Sequence, residues 1–340
     1  MQEKPFEITI APFAPGRVTE LVEPSVKQSR CEPLQQHPRY ISALQTFGTI
    51  AKTAQVRKGD QLVLNCHLLE RRFFGIFTIT MGFRGPHFAT QTANEATNRV
   101  SSEEQVAALR FLKKHFSPWK RQFLQLMPEL VDSKENRTLM KRAGFTRIMT
   151  GTSTIWIDLS LGEAALRTAL AANWRNQLKK AERSSFTIAV GGAKTKHYNW
   201  LLERESEQRS NRGYSAVPLG LVPAYQDAVV NSSPKPSSSA PAQLSPIVSV
   251  TAHEKGTQIA GALFLLHGTS ATYHIGWAGE RGRALNAQNR VLFDGMLALK
   301  KRGVKWLDMG GVDTGPQAAI ARFKLGLGHP PETLVGTYIG

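Results

Sequence analysis

The stretch Asn286–Gly311, NAQNRVLFDGMLALKKRGVKWLDMGG, decides the fold class. Val291, Leu292, Met296 and Leu299 fall on one side of a helix, and Gly303 stands where a left-handed residue caps a helix end. The segment VKWLDMGG that follows reads as a buried strand reaching a turn at Gly310 and Gly311. Upstream, PIVSVTAHEKGTQIAGALFLLHGTSATYHIGWAG (Pro246–Gly279) alternates in polarity and is punctuated by HEKGTQ and HGTS, so it reads as strands joined by tight turns. Strands followed by a long helix and a further buried strand give an α/β or α+β chain, with mixed sheets flanked by helices.

The same alternation extends toward the N-terminus. DQLVLNCHLL from Asp60 and RRFFGIFTITMGFRGPHF from Arg71 read as two strands joined by a basic turn. A helix follows from Ser101 or Ser102, with Val106, Leu109, Leu112 and Phe116 at helical spacing, and SKENRTLMKRAG suggests another. FTRIMTGTSTIWIDLS again reads as extended. LGEAALRTALAANWRNQLKKAERS reads as one helix capped by Asp158 or Ser160, its apolar stripe made of Leu166, Leu170, Trp174 and Leu178. Beside that stripe Arg175, Lys179, Lys180 and Arg183 form a basic edge, either a solvated helix face or a row of phosphate contacts. Residues 231–246, NSSPKPSSSAPAQLSP, are serine and proline with little to bury and read as a flexible loop inside the second domain. No repeat of fixed period is visible.

A length of 340 residues exceeds what one core usually serves, roughly 100 to 200 residues, and favours two domains. The formal net charge is +17 with a pI near 10.1, which draws polyanions over long range: nucleic acid first, an anionic membrane surface second. Cys31 and Cys66 are too few and too far apart for a disulfide framework or a cysteine zinc site, and the nine histidines show no His-x-x-x-His spacing, so no metal is expected. The first residues, MQEKPFEITIAPFAP, lack the pattern of a secretory signal and no apolar run approaches about 18 residues, which gives a cytoplasmic expectation with no transmembrane segment.

Near the end, DMGGVDTGPQAAIARFKLGLG (Asp308–Gly328) sets Phe323 and Lys324 just before Gly326 and Gly328. Lys324 is there either as a cation suited to a helix C-terminus or as a fixed charge facing a substrate.

Taken in order, RAGFTRIMTGTSTIWIDLS, LRTALAANWRNQLKKAER, QRSNRGYS, NAQNRVLFDGMLALKKRGVKWLDMGGVD and GPQAAIARFKLGLGHPPETLVGTY resemble the Fem family of aminoacyl-tRNA-dependent peptidyltransferases. The likeness is good from about Ala143 onward, and the Phe-Lys-x-Gly-x-Gly close is its most specific element. The resemblance implies two tandem domains of the GCN5-type acetyltransferase fold. The first, 1–150, is the acceptor side, completed by a returning strand at 332–340; the second, 151–331, is the donor and catalytic side. It also implies an aminoacyltransferase that forms an amide on a primary amine of a peptide, a peptidoglycan precursor or a small metabolite, acting as a monomer with tRNA as partner, peripheral membrane contact being allowed. No resident cofactor is implied, since aminoacyl-tRNA is the co-substrate.

By the same resemblance Lys324 stabilises the oxyanion, Phe323 stacks beneath a cation or the donor's terminal adenosine, and Arg212, in a polar loop before a helix, pairs with substrate phosphate, with Tyr214 lining the same cleft. Gly310 and Gly311 shape the site. Asp308 and Asp313 orient an ammonium or accept its proton, or cap the next helix. The basic edge at Arg175, Lys179, Lys180 and Arg183 becomes the seat of the tRNA acceptor stem. An acyl-CoA-dependent N-acyltransferase of the same fold is the alternative, and the turn GERGRALNAQN, without the Gly-x-Gly ending that cradles pyrophosphate, disfavours CoA. Gln28-Ser29 lacks the tryptophan and lysine that family members carry after it, which leaves the acceptor open.

Overall fold

A computed structural model describes residues 5–15, 33–93, 96–192, 194–213, 216–228, 245–312 and 318–340. Two compact units emerge, one formed chiefly by Met1–Thr152 with Thr333–Gly340, the other by Ser153–Asp227 with Lys235–Glu332.

In the first unit the strands are β1 (Phe6–Pro12), β2 (Ile50–Lys58), β3 (Gln61–Phe73), β4 (Phe77–Phe83), β5 (His87–Phe88), β6 (Thr90–Ala93), β7 (Ala96–Arg99), β8 (Gln122–Met127) and β9 (Thr146–Met149). The helices are α1 (Pro38–Gln45), α2 (Ser102–Lys114) and α3 (Lys134–Arg142). Helix α2 begins where its sequence says it should: the Ser101 hydroxyl accepts from the Glu104 amide while the Glu104 carboxylate accepts from the Ser101 amide. Its Val106, Leu109 and Leu112 enter a core with Leu64, Leu68, Leu124 and Leu126.

The second unit runs β10 (Ser153–Asp158), α4 (Glu163–Ala169), α5 (Ala172–Glu182), β11 (Thr187–Gly191), α6 (Asn199–Arg212), α7 (Leu221–Asp227), β12 (Ile247–Glu254), β13 (Thr257–His267), β14 (Ser270–Ala278), α8 (Glu280–Ala284), α9 (Ala287–Lys301), β15 (Trp306–Gly311), α10 (Ala318–Leu325) and β16 (Glu332–Thr333). The last strand, β17 (Thr337–Ile339), lies in the first unit's sheet between β8 and β9.

The two sheets share a plan. In the first, β1 to β4 form an antiparallel meander and β4 then pairs in parallel with β8; in the second, β11 to β14 form the meander and β14 pairs in parallel with β15. The crossover between the parallel partners carries α2 after three short strands in the first sheet, and α8 and α9 in the second. The sequence carries no matching repeat, because the plan needs only the same order of polarity patterns.

Several expectations are corrected. The basic pair Arg71-Arg72 is inside β3, and the reversal to β4 falls at Phe74-Gly75, both with positive φ, the backbone a tight hairpin turn needs. The helix expected over 161–184 breaks at Leu170, which is extended (ψ 136°), and its N-cap is Gly162 rather than Asp158 or Ser160. The cause is long-range: the Ala171 amide donates to the Gly326 carbonyl at 2.9 Å instead of continuing the helix. Leu166, Leu170, Trp174 and Leu178 are nonetheless all buried, so the apolar stripe survives the break. Arg212 closes α6 instead of sitting in a loop, with Gly213 (φ 65°) capping the helix behind the Glu205–Arg209 pair. The serine- and proline-rich segment expected as a loop lies almost wholly outside the described residues.

Candidate active site

The parallel pairing of β14 and β15 runs from Ser270–Trp306 to Thr272–Asp308, and among the described residues it ends there. Beyond it β14 continues to Ala278 with β13 alone as partner, while β15 continues to Gly311 beside β10. A gap therefore opens between the C-terminal ends of two parallel strands, the usual position for a site in such a sheet.

Asp308 is fully buried at the base of this gap. Its Oδ1 accepts the Thr154 hydroxyl at 2.6 Å and the Gly310 amide at 2.8 Å. Lys324, in the last turn of α10, is 9% exposed, and its Nζ donates to the Gly311 carbonyl at 2.8 Å. Burial pushes the Lys324 pKa below the ordinary lysine range, and the Asp308 carboxylate works in the opposite direction. Lys324 is both in the last turn of its helix and buried: the ammonium is enclosed within a chain that runs Thr154, Asp308, Gly310, Gly311, Lys324. Asp308 has its Oδ1 committed to two donors and orients the glycine turn and the nearby charge. Gly310, with φ 68°, lends its amide to Asp308.

Phe323 lies against Trp174, ring centroids 5.8 Å apart, and packs on the core of this unit, so its ring supports the wall behind Lys324. The glycines after it serve close approach. A Cβ on Gly326 would lie 2.6 Å from Trp174 Cδ1, and one on Gly328 would lie 1.7 Å from the Ala169 carbonyl, at the break between α4 and α5. Gly328 also has φ 80°. Gly328→Ala is therefore expected to lower stability by about 2 kcal/mol or more, through backbone strain and the displaced turn; an unchanged urea midpoint would show that the turn accommodates a methyl group.

Of the other expected site residues, Asp313 and Tyr214 lie outside the described residues, and Arg212 is placed only by its backbone at the end of α6. Arg175 is half-buried and Lys179, Lys180 and Arg183 are exposed on α5 and its C-cap. None of the four forms an ion pair with a described residue, whereas Arg167, Arg209 and Arg281 of the same unit pair with Glu182, Glu205 and Glu254. The α5 cations are left to attract an external anion.

One group escaped the sequence reading. Leu263 pairs with Ile275 and Phe264 with Tyr273, so His274 is the extra residue of a β-bulge on β14, just past the point where β15 leaves. Burial, with Arg209 adding to it, lowers its pKa to about 4, which keeps the imidazole neutral. Arg209 is itself fixed by Glu205 Oε1 at 2.8 Å and the Val217 carbonyl at 2.7 Å. Only the register of β13 against β14 reveals the bulge; local sequence carries no signal for it.

The turn GERGRALNAQN folds as α8 followed by Asn286 in a left-handed conformation, and Gly282 packs where a Cβ would lie 2.1 Å from the Ile259 carbonyl. That glycine serves helix-on-strand packing. A groove of about 550 Å³ lined by Ile188, Val190, Arg290, Leu297, Lys301 and Arg302 lies at the β11 edge of the sheet, remote from β15.

No protein-family model matches the sequence, and no curated protein matches it. Solved structures do. FemX is similar with a TM-score of 0.69 at 12% identity, over 90% of this chain and 93% of that one. A conserved protein of unknown function from Bacteroides thetaiotaomicron follows with 0.54 at 12% identity, covering 88% of both chains. The C-terminal domain of a putative lysylphosphatidylglycerol synthetase from Agrobacterium fabrum gives 0.51 at 10% identity, over 90% of this chain and 87% of that one. The chain thus has the FemX fold, two tandem acetyltransferase-like domains, each a mixed sheet flanked by helices.

Proposed function

We propose that this chain, a FemX-fold protein, moves an amino acid from aminoacyl-tRNA to a primary amine and forms an amide bond. The observation that carries the reading is the enclosed Lys324 ammonium, held by the Gly311 carbonyl at the open end of β15. The Phe-Lys-x-Gly-x-Gly close that resembles the Fem family and the likeness of fold to FemX support it.

The chemistry asks little beyond positioning and charge. The donor ester is already activated; the amine nitrogen attacks its carbonyl, a C–N bond forms, and a tetrahedral oxyanion develops before the C–O bond to the ribose breaks. A preorganised ammonium such as that of Lys324 stabilises this oxyanion most where water is excluded. The amine loses one proton and the departing ribose hydroxyl gains one. The second domain provides the donor side in this reading, and the first domain the acceptor side. The acceptor is a peptide, a wall precursor or a small amine.

The direct test is the pure protein with a mixture of charged tRNAs, following which one is discharged when candidate amines are added. Discharge that depends on an amine supports the assignment. Saturable CoA binding with no discharge would replace it with acyl-CoA chemistry.

The unpaired cations of α5 give a second test. Double reversal of Arg175 and Lys179 to glutamate is expected to weaken tRNA binding and flatten its dependence on salt, because each lost phosphate contact removes close to one released counterion from the slope. An unaltered salt slope in a filter-binding titration would return these residues to a merely solvated face. Among the described residues no helix is long and apolar enough to cross a membrane.

A further inference from the structure

The first unit gathers exposed apolar side chains at one end of its sheet. Trp119 is 97% exposed, Phe74 89%, Ile76 55%, and Phe47 and Ile50 45% each. The strand register brings them together. Ile50 at the start of β2 pairs with Glu70 near the end of β3, Phe73 pairs with Phe77 across the hairpin that presents Phe74 and Ile76, and Thr78 lies beside Gln122 at the start of β8, immediately after the turn holding Trp119. The Thr78 amide donates to the Arg121 carbonyl, tying that turn to the hairpin. An apolar edge of this kind on a water-facing surface marks an interaction site.

The charges around it have one sign. Arg71, Arg72, Lys120 and Arg121 are exposed on the same segments. The carboxylate that shares this end, Glu70, is nearly buried and lies 2.5 Å from Lys52 Nζ and 3.6 Å from Arg72. What faces outward is aromatic and aliphatic at the tip and cationic on the flanks.

We propose that this end of the first sheet docks the protein on a bilayer bearing anionic headgroups, with Phe74, Ile76 and Trp119 entering the interfacial layer and the flanking arginines and lysines meeting the headgroups. Tryptophan and phenylalanine favour that layer, and basic residues beside it add attraction to anionic lipid. The hairpin tip is closed by the Ile76 amide, which donates to the Phe73 carbonyl at 2.9 Å, so that donor enters the layer already satisfied. Single-stranded RNA is less well matched, since two of the five apolar side chains are isoleucines and present no ring to a base. The docking is independent of the transfer chemistry and of Lys324.

Flotation of the full chain with phosphatidylcholine vesicles, with and without phosphatidylglycerol, tests this. The protein is expected to float with phosphatidylglycerol vesicles, less so in high salt, and Phe74→Ser with Trp119→Ser is expected to weaken that binding about ten-fold or more while leaving discharge of charged tRNA in solution unchanged. All the substituted side chains are exposed, so folding is checked by an unchanged melting transition. Failure of the wild-type chain to float, or equal flotation of the double variant, overturns the proposal. So does a result in which the substitutions weaken binding to polyuridylate and leave vesicle binding intact, which would assign the surface to RNA.

Discussion

Lys324→Ala is expected to reduce turnover of aminoacyl-tRNA by about 10² to 10³ while leaving tRNA affinity nearly unchanged, the range seen when one preorganised donor to an oxyanion is removed. The separation follows from where the charge sits. Its Nζ is held by the Gly311 carbonyl beneath the gap between β14 and β15, whereas the cations proposed to meet a phosphate backbone, Arg175 and Lys179, are on α5. Removing a buried side chain also leaves a cavity, so Lys324→Met serves as the control: it restores volume without charge and should remain as slow as alanine. A methionine variant with wild-type turnover would show that Lys324 only fills space. The pH profile adds an independent reading. Because burial lowers the Lys324 pKa, its ammonium is lost as pH rises through a value below the ordinary lysine range, and the alkaline limb of turnover should fall correspondingly early.

Much of the fold is legible because the deciding signals are local. The Ser101–Glu104 box, the spacing of Val106, Leu109 and Leu112, the glycine after α9 and the turns at Lys255-Gly256 and Gly268 each specify an element without help from elsewhere. What stays hidden depends on partners distant in sequence. Leu170 reads as mid-helix until the Gly326 carbonyl takes the Ala171 amide. His274 reads as an ordinary strand residue until the register with Leu263 and Phe264 makes it a bulge. Phe323 and Lys324 are adjacent and look alike in their claim on a substrate, yet the ring packs on Trp174 and only the ammonium reaches the glycine turn. Asp308 could be picked out as a carboxylate near two glycines, but its commitment to Thr154 rests on a pairing of β10 with β15 that no local pattern announces.

The second large effect concerns stability in acid, and it arises in the first unit. His67 lies on β3 with its Nδ1 3.0 Å from the Thr53 hydroxyl and its backbone clasped by Gln36, which accepts the His67 amide at 2.8 Å and donates to its carbonyl at 3.0 Å. His87 on β5 faces Asn65 of β3, and its buried Nε2 has no hydrogen-bond partner among the described residues. Burial lowers both pKa values from 6.5 to about 4, and for His87 the neighbouring His67 and Arg84 push further in that direction. The sign follows directly. Between pH 6.5 and about 4 the unfolded chain binds these protons and the folded chain does not, so stability is complete above the unfolded value and falls as pH drops through this window. At about 1.4 kcal/mol per pH unit, each histidine accounts for a loss on the order of 3 kcal/mol, comparable for the pair with the whole margin of many domains. His274 adds a group of the same kind to the second unit. Urea midpoints at pH 7 and pH 4.5 should therefore differ strongly for the wild-type chain, and the difference should shrink in a His67→Gln, His87→Asn double variant even if that variant is less stable at pH 7. A pH slope that is the same in wild type and variant would place the acid sensitivity elsewhere, in carboxylates such as Glu103 and Glu104, whose pKa values are lowered by Arg142 and by the Ser101 amide respectively.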